Sequence, residues 1–360
     1  VAKQRKTVPL TELEANRIAL IKPSALGDII HSLPVLTALR RRFPRAHISW
    51  VVNRGYEPLL YGHPDLDETL PFDRHASHAG FWRTSAGFIA FLKNLRRRSF
   101  DLVIDLQGLL RSGIMTLATG AKRRVGMSSA REGARWFYTD LVPVPDFETS
   151  HAVDRTWRVA DAFGAGTAEK RFRLRLAEDA RVWADEVLAT LPRPWLAAGV
   201  GARWRTKRWP PEHFAALLRR AQQYFGGTAL FVGGRDEIPL AEAAARLLDG
   251  PVQQLAGRTS LPQLAALLSR VDIMLANDTG PLHLAVALGR PVVAPYTCTQ
   301  VCRNGPYGQA QRAVETTVWC AGSYRKKCNR LECMAELTPA RLWPILDEIL
   351  CTWQKHSLSA

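Results

Sequence analysis

The chain has 360 residues, 47% of them hydrophobic, and 49 Lys and Arg against 33 Asp and Glu give it a formal charge of +16. That length exceeds what one core usually organises, so two domains are expected, and the hydrophobic fraction excludes a disordered chain. No apolar run is long enough to span a bilayer and no apolar signal region follows the basic segment 1–6, so a cytoplasmic protein is expected. Its basic surface favours nucleic acid, an anionic membrane face or phosphorylated substrates. The six cysteines all lie in the last quarter, and without a secretory signal they read as free thiols or metal ligands rather than a disulfide framework.

In chain order, strand and helix patterns alternate. Residues 18–21 read as a buried strand, 28–42 as a helix, 47–52 as a strand, 57–61 as a short helix and 68–72 as a strand. A helix over 81–97, a strand over 102–106, a helix over 107–117, a strand edge at 124–126 and a helix over 151–163 complete the first unit. Residues 164–176 are polar and basic and read as a linker. The rhythm restarts with a helix over 177–191 and strands at 194–200, 228–232, 252–255 and 271–276. Helices at 212–224, 238–248, 261–270 and 283–288 separate them. The strand 291–294 closes the second sheet, and an amphipathic helix begins at 339. This βαβ rhythm implies parallel sheets covered on both faces. The expected fold is α/β: two Rossmann-like, doubly wound parallel-sheet domains, 1–168 and 169–338, facing across a cleft, with the helix 339–360 free to pack back on the first.

Ligands collect at the carboxyl edges of such sheets, where strands turn into helix N-termini that receive anions. In the first unit the turn 22–27 leads from the opening strand into Asp28, which is either a helix cap or an acidic group on the lip where ligands collect. Asp105-Leu106-Gln107-Gly108 leaves a second strand at the same edge, and Arg74, Arg111, Lys122, Arg123, Arg124 and Arg131 are candidate cations of an acceptor site. In the second unit, 276–284 (ANDTGPLHL) follows a strand and opens a helix. Gly280 allows close backbone approach, Thr279 offers a hydroxyl, and Asp278 and His283 suit sugar hydroxyls or a diphosphate; the alternative is a turn with Asp278 bonded to its own backbone. The segment 199–210 begins like a dinucleotide fingerprint but lacks its third glycine, and no GxxxxGK[ST] occurs, which removes a P-loop kinase. Its clustered cations, with Lys207 as a point charge, suit a diphosphate leaving group without a metal; the alternative is a solvated basic loop. In GGRDE (233–237) a carboxylate can hold a ribose diol or cap a helix. Cys320, Cys328 and Cys333 are the alternative metal ligands, although their spacing is not that of a zinc finger. No RNP-like, zinc-finger or helix-turn-helix pattern supports a nucleic-acid partner.

The stretches KPSALGDIIHSLP, DLVIDLQGLLRS, TKRWPPEHF, GGRDE and NDTGPLHLAVALGRP occur in this order, and the match they belong to covers nearly the whole chain. Together they resemble glycosyltransferase family 9, the ADP-heptose:lipopolysaccharide heptosyltransferases. The segment from Arg124 to Tyr138, followed by His151-Ala152-Val153, is closest to its heptosyltransferase I branch. The resemblance implies a GT-B fold and inverting, metal-independent transfer of L-glycero-D-manno-heptose. The donor would be ADP-heptose and the acceptor a 3-deoxy-D-manno-octulosonic acid residue of the lipopolysaccharide inner core, at the cytoplasmic face of the inner membrane. It implies Asp28 as catalytic base; Lys207, Thr206, Glu237, Asp278, Thr279, Gly280 and His283 at the donor; and Ser24, Gly27, Arg74, Gln107 and Arg131 at the acceptor. No cofactor is expected. Rival readings are a GT-B enzyme with another nucleotide sugar or acceptor, such as heptosyltransferase II or a protein heptosyltransferase, and a non-catalytic binder of anionic surfaces.

Overall fold

The computed structural model describes residues 8–73 and 81–358, with the backbone alone for 81–85 and 358. It divides into two units, Val1–Arg175 and Leu176–Ala360.

In the first unit β1 (Arg17–Ile21), α1 (Leu26–Arg42), β2 (His47–Asn53), β3 (Glu68–Phe72), α2 (Phe81–Arg97), β4 (Leu102–Asp105), α3 (Leu110–Ala118), β5 (Arg123–Met127), β6 (Asp140–Val142) and α4 (Ala152–Ala162) follow one another. The sheet order is β3-β2-β1-β4-β5-β6 and every pairing is parallel. β1 sits in the middle with Ile18 to Ile21 fully buried, as an apolar run between two helical layers requires. Ile29, Ile30, Leu33 and Leu36 of α1 are buried as well, so its apolar stripe faces inward.

The second unit contains α5 (Glu178–Leu188), β7 (Trp195–Gly199), α6 (Pro211–Phe225), β8 (Thr228–Phe231), α7 (Ile238–Ala245), β9 (Val252–Gln254), α8 (Leu261–Leu268), β10 (Ile273–Ala276), α9 (Gly280–Ala287), β11 (Val292–Tyr296), α10 (Val301–Asn304), β12 (Ala313–Glu315), α11 (Glu332–Glu336) and α12 (Pro339–Leu358). Its sheet, β12-β11-β10-β7-β8-β9, is again parallel and repeats the strand order of the first. No helix among the described residues is long and apolar enough to cross a membrane.

Three points differ from the sequence reading. The second sheet does not close at residue 294: β12 adds an edge strand beyond β11, as β6 does in the first sheet. Both edge strands have three residues and are only partly buried, so neither carries a periodic apolar signal. Secondly, α12 belongs to the second unit: Leu342, Leu346 and Leu350 enter its core with Trp209, Phe214 and Leu218. Trp353 Nε1 donates to Asp272 Oδ1 at 2.9 Å, and the Arg220 guanidinium lies 4.1 Å from the Trp343 ring.

Thirdly, the division falls after Arg175 rather than after Ala168, because the polar segment is held on the first unit. Buried His63 donates from Nε2 to Arg173 O at 2.8 Å and accepts from Asp65 N at 3.1 Å, while Arg173 Nη1 donates to Asp65 Oδ1 at 2.7 Å. Burial pushes the His63 pKa down despite the bond to Arg173 O and the Asp65 charge. Its neutral form is thus the native one. The stability it brings is complete above the unfolded value near 6.5 and is lost as pH falls through the lowered value. Substituting His63→Ala is expected to expose the segment to trypsin near pH 7.5, and the melting-temperature gap between wild type and variant should narrow as pH falls below about 6. A gap independent of pH would show that His63 is not protonated on unfolding there.

Candidate active site

Each sheet reverses its winding direction at one place, between β1 and β4 in the first unit and between β7 and β10 in the second. Crevices at such switch points are where open α/β sheets bind ligands. The candidate residues cluster at both.

In the first unit Lys22, the residue after β1, is buried and donates to Leu106 O at 3.0 Å. Its Nζ lies 3.9 Å from Asp28 Oδ1, and the Asp28 side chain is 49% exposed. Asp28 is the third residue of α1; its Oδ2 accepts from Ala25 N at 3.0 Å. The capping and functional readings of Asp28 are therefore compatible, since one oxygen closes the turn while the other faces Lys22. Ser24 and Gly27 lie half-buried on the same turn, whose Ser24–Ala25 peptide is cis.

Asp105, at the end of β4, is fully buried and shapes the neighbouring turn. It accepts from Gln107 N at 2.8 Å, Gly108 N at 3.1 Å and Tyr138 Oη at 2.7 Å. Burial raises its pKa, and these donors offset only part of that. Arg131 N donates to Gly108 O at 2.8 Å, which brings Arg131 beside Gln107. Gln107 Oε1 is buried without a hydrogen-bond partner among the described residues. Arg74 lies outside the described residues.

In the second unit buried Asn277 binds two loops together. Its Nδ2 donates to Val200 O at 2.9 Å and Gly201 O at 3.2 Å, and its Oδ1 accepts from Trp209 N at 3.1 Å. This brings Lys207 to Asp278. Lys207 Nζ donates to Asp278 Oδ2 at 2.6 Å, Thr299 Oγ1 donates to the same oxygen at 2.7 Å, and His283 Nε2 stands 3.3 Å from Oδ1. Burial alone pushes the Asp278 carboxyl up; the Lys207 charge, with His283, overcomes this and holds it well below the ordinary range. Asp278 is thus an ionised anchor for its neighbours rather than an Asx turn.

Thr279 caps α9 without a side-chain capping bond, and Gly280 opens the helix, so first-turn N–H groups remain to receive an anion. The Thr206 hydroxyl is committed elsewhere: it donates to Arg325 O at 2.6 Å, while Thr206 O accepts from Thr297 Oγ1 at 2.5 Å. Of the two acids in 235–237, Glu237 reaches the sheet edge. Its Oε2 accepts from Gly234 N at 2.8 Å, and a Cβ on Gly201 would stand 2.1 Å from its carboxyl. Asp236 is exposed.

Lys22 and Thr299 escaped the sequence reading. A lysine directly after the apolar run 18–21 is the available signal for Lys22; none marks Thr299, which reaches Asp278 only through the fold. The alternative metal ligands do not assemble: among the described residues no group of three or more His, Cys, Asp or Glu side chains is placed to hold a metal ion.

Two Rossmann-type units, one carrying an anion-receiving helix start beside a fixed lysine, are the parts from which a GT-B fold is built. Residues 88–334 match the model of glycosyltransferase family 9 (heptosyltransferase), and the chain belongs to that family. It is 32% identical over 320 residues to lipopolysaccharide heptosyltransferase 1 of Pseudomonas aeruginosa, covering 87% of each chain. It is 26% identical over 311 residues to the lipopolysaccharide core heptosyltransferase OpsX of Haemophilus influenzae, covering 85% of this chain and 86% of that one. The solved structure of E. coli heptosyltransferase WaaC with ADP superposes with a TM-score of 0.73 at 25% identity, covering 92% of this chain and 99% of the other.

Proposed function

We propose that this glycosyltransferase acts in lipopolysaccharide core biosynthesis as a heptosyltransferase I. It moves L-glycero-D-manno-heptose from ADP-heptose to a 3-deoxy-D-manno-octulosonic acid residue of the inner core, at the cytoplasmic face of the inner membrane. The observation that carries this reading is the Lys207–Asp278 pair at the opening of α9, a fixed cation beside free helix N–H groups, in a chain related to heptosyltransferases. These groups suit the diphosphate of the donor and need no metal to meet its charge. Glu237 suits the ribose diol and His283 the sugar.

Transfer is then a single inverting displacement. Asp28 takes the proton from the acceptor hydroxyl as that oxygen attacks the anomeric carbon, and the leaving ADP oxygen is stabilised by Lys207 and the α9 N–H groups. In the first unit Gln107, Arg131, Ser24 and Gly27 serve the acceptor; Gln107 Oε1 has an unspent lone pair for a sugar hydroxyl.

Purified protein with ADP-heptose and unheptosylated inner-core acceptor is expected to yield a product one heptosyl residue heavier by mass spectrometry, with the same rate in chelator. Product formed only from another nucleotide sugar, or only on an already heptosylated core, refutes the assignment. A rate abolished by chelator and restored by a divalent cation refutes the metal-independent mechanism.

A further inference from the structure

The helix α3 carries apolar residues on both faces. Its inward face holds Met115, fully buried in the core of the first unit, beside Ser112, Gly113 and Thr116, while Leu110 and Leu117 stand 45% and 50% exposed with half-buried Ile114 between them. The inward hydroxyls are satisfied by main-chain carbonyls: Ser112 Oγ donates to Leu109 O at 2.8 Å and Thr116 Oγ1 to Ser112 O at 2.9 Å. Gly113 lets the turn 134–137 pack closely, since a Cβ there would lie 2.4 Å from Phe137. That turn presents Trp136, 89% exposed. Positions i, i+4 and i+7 of one helix form a continuous stripe, so this is an aliphatic face rather than scattered exposure.

Cations surround the stripe. Arg123 and Arg124 are committed to the fold, the first paired with Asp140 at 2.7 Å and the second donating to Phe137 O at 2.7 Å. Arg111, Lys122 and Arg135 are exposed beside them, as are Lys93 and Arg97 on α2, which packs against α3 through Arg96 and Thr119. Glu132, an acid on this face, accepts from Leu110 N at the start of α3.

We propose that this face of the first unit docks on an anionic phospholipid bilayer, with Leu110, Leu117 and Trp136 entering the headgroup region and the flanking cations pairing with lipid phosphates. A tryptophan with aliphatic neighbours suits the interface, and basic residues supply the complementary charge. The inference rests on the heptosyltransferase reading in one respect: a lipid-borne acceptor gives docking a purpose, and α3 starts directly beyond Gln107.

The test is co-sedimentation of the full chain with vesicles of phosphatidylglycerol and phosphatidylethanolamine, against phosphatidylcholine alone. Binding to the anionic vesicles that weakens with salt is expected. The double variant Leu117→Ser, Trp136→Ser should lower the partition coefficient by about tenfold or more, and Arg135→Glu should weaken binding chiefly at low salt. Both variants should keep the wild-type melting temperature and rate on a deacylated, water-soluble acceptor, while transfer to vesicle-borne acceptor falls. Equal partition of wild type and double variant, equal binding to phosphatidylcholine, or loss of a dimer in the double variant without any vesicle binding overturns the proposal. Failure of the wild type to use the deacylated acceptor defeats the heptosyltransferase reading instead and leaves the vesicle result standing.

Discussion

Replacing Asp28 by Asn is expected to lower turnover by about a hundredfold to ten-thousandfold, the usual contribution of a positioned general base, with ADP-heptose affinity nearly intact. The Asn side chain still offers an oxygen to Ala25 N, so the turn into α1 is kept and the loss is chemical. Asp28→Ala should abolish transfer equally and also cost about 1 kcal/mol of stability through the lost cap. Single-turnover kinetics with isothermal calorimetry on ADP-heptose separates the two effects. Near wild-type turnover in the Asn variant would remove Asp28 from the role of base.

Lys207→Ala should produce the largest combined loss, in both donor binding and stability. Asp278 is buried, and removal of its cation leaves a carboxylate supported by Thr299 and His283 alone. Breaking such a pair typically costs about 3–5 kcal/mol, and the remaining partners place this case at the lower end. Calorimetry should show ADP binding weakened together with the melting temperature. The pH dependence carries a sign. In the wild type the Asp278 pKa is depressed in the folded state, so its stabilisation is complete above the unfolded value near 3.9 and is lost as pH falls below it. In the variant the depression shrinks, so the acid-side loss of stability should be shallower. An unchanged acid limb with undiminished ADP affinity would show that the pair neither anchors the fold nor serves the donor.

How much was legible follows from the range of the interactions involved. The run 18–21 and the helical recurrence of Ile29, Ile30, Leu33 and Leu36 are local patterns, and β1 and α1 formed where they stood. β6 and β12 were invisible because three residues of mixed burial acquire strand geometry from the neighbour they pair with. The same holds for α12: its apolar stripe was evident, but nothing in residues 339–358 says which core it enters. Trp209, donating to Leu337 O at 2.6 Å, settles that through space.

By itself the sequence determined the alternation of strands and helices, the turns where strands open into helices, and the residues on those turns, because each depends on neighbours a few positions away. Tertiary structure alone decided which turns share a switch point. It also turned Lys207 and Asp278, 71 positions apart, into one pair with the carboxylate buried, and left the aliphatic face of α3 in water. Strand order and burial are set by the packing of the whole sheet, and a linear pattern records which residues are apolar without recording what covers them.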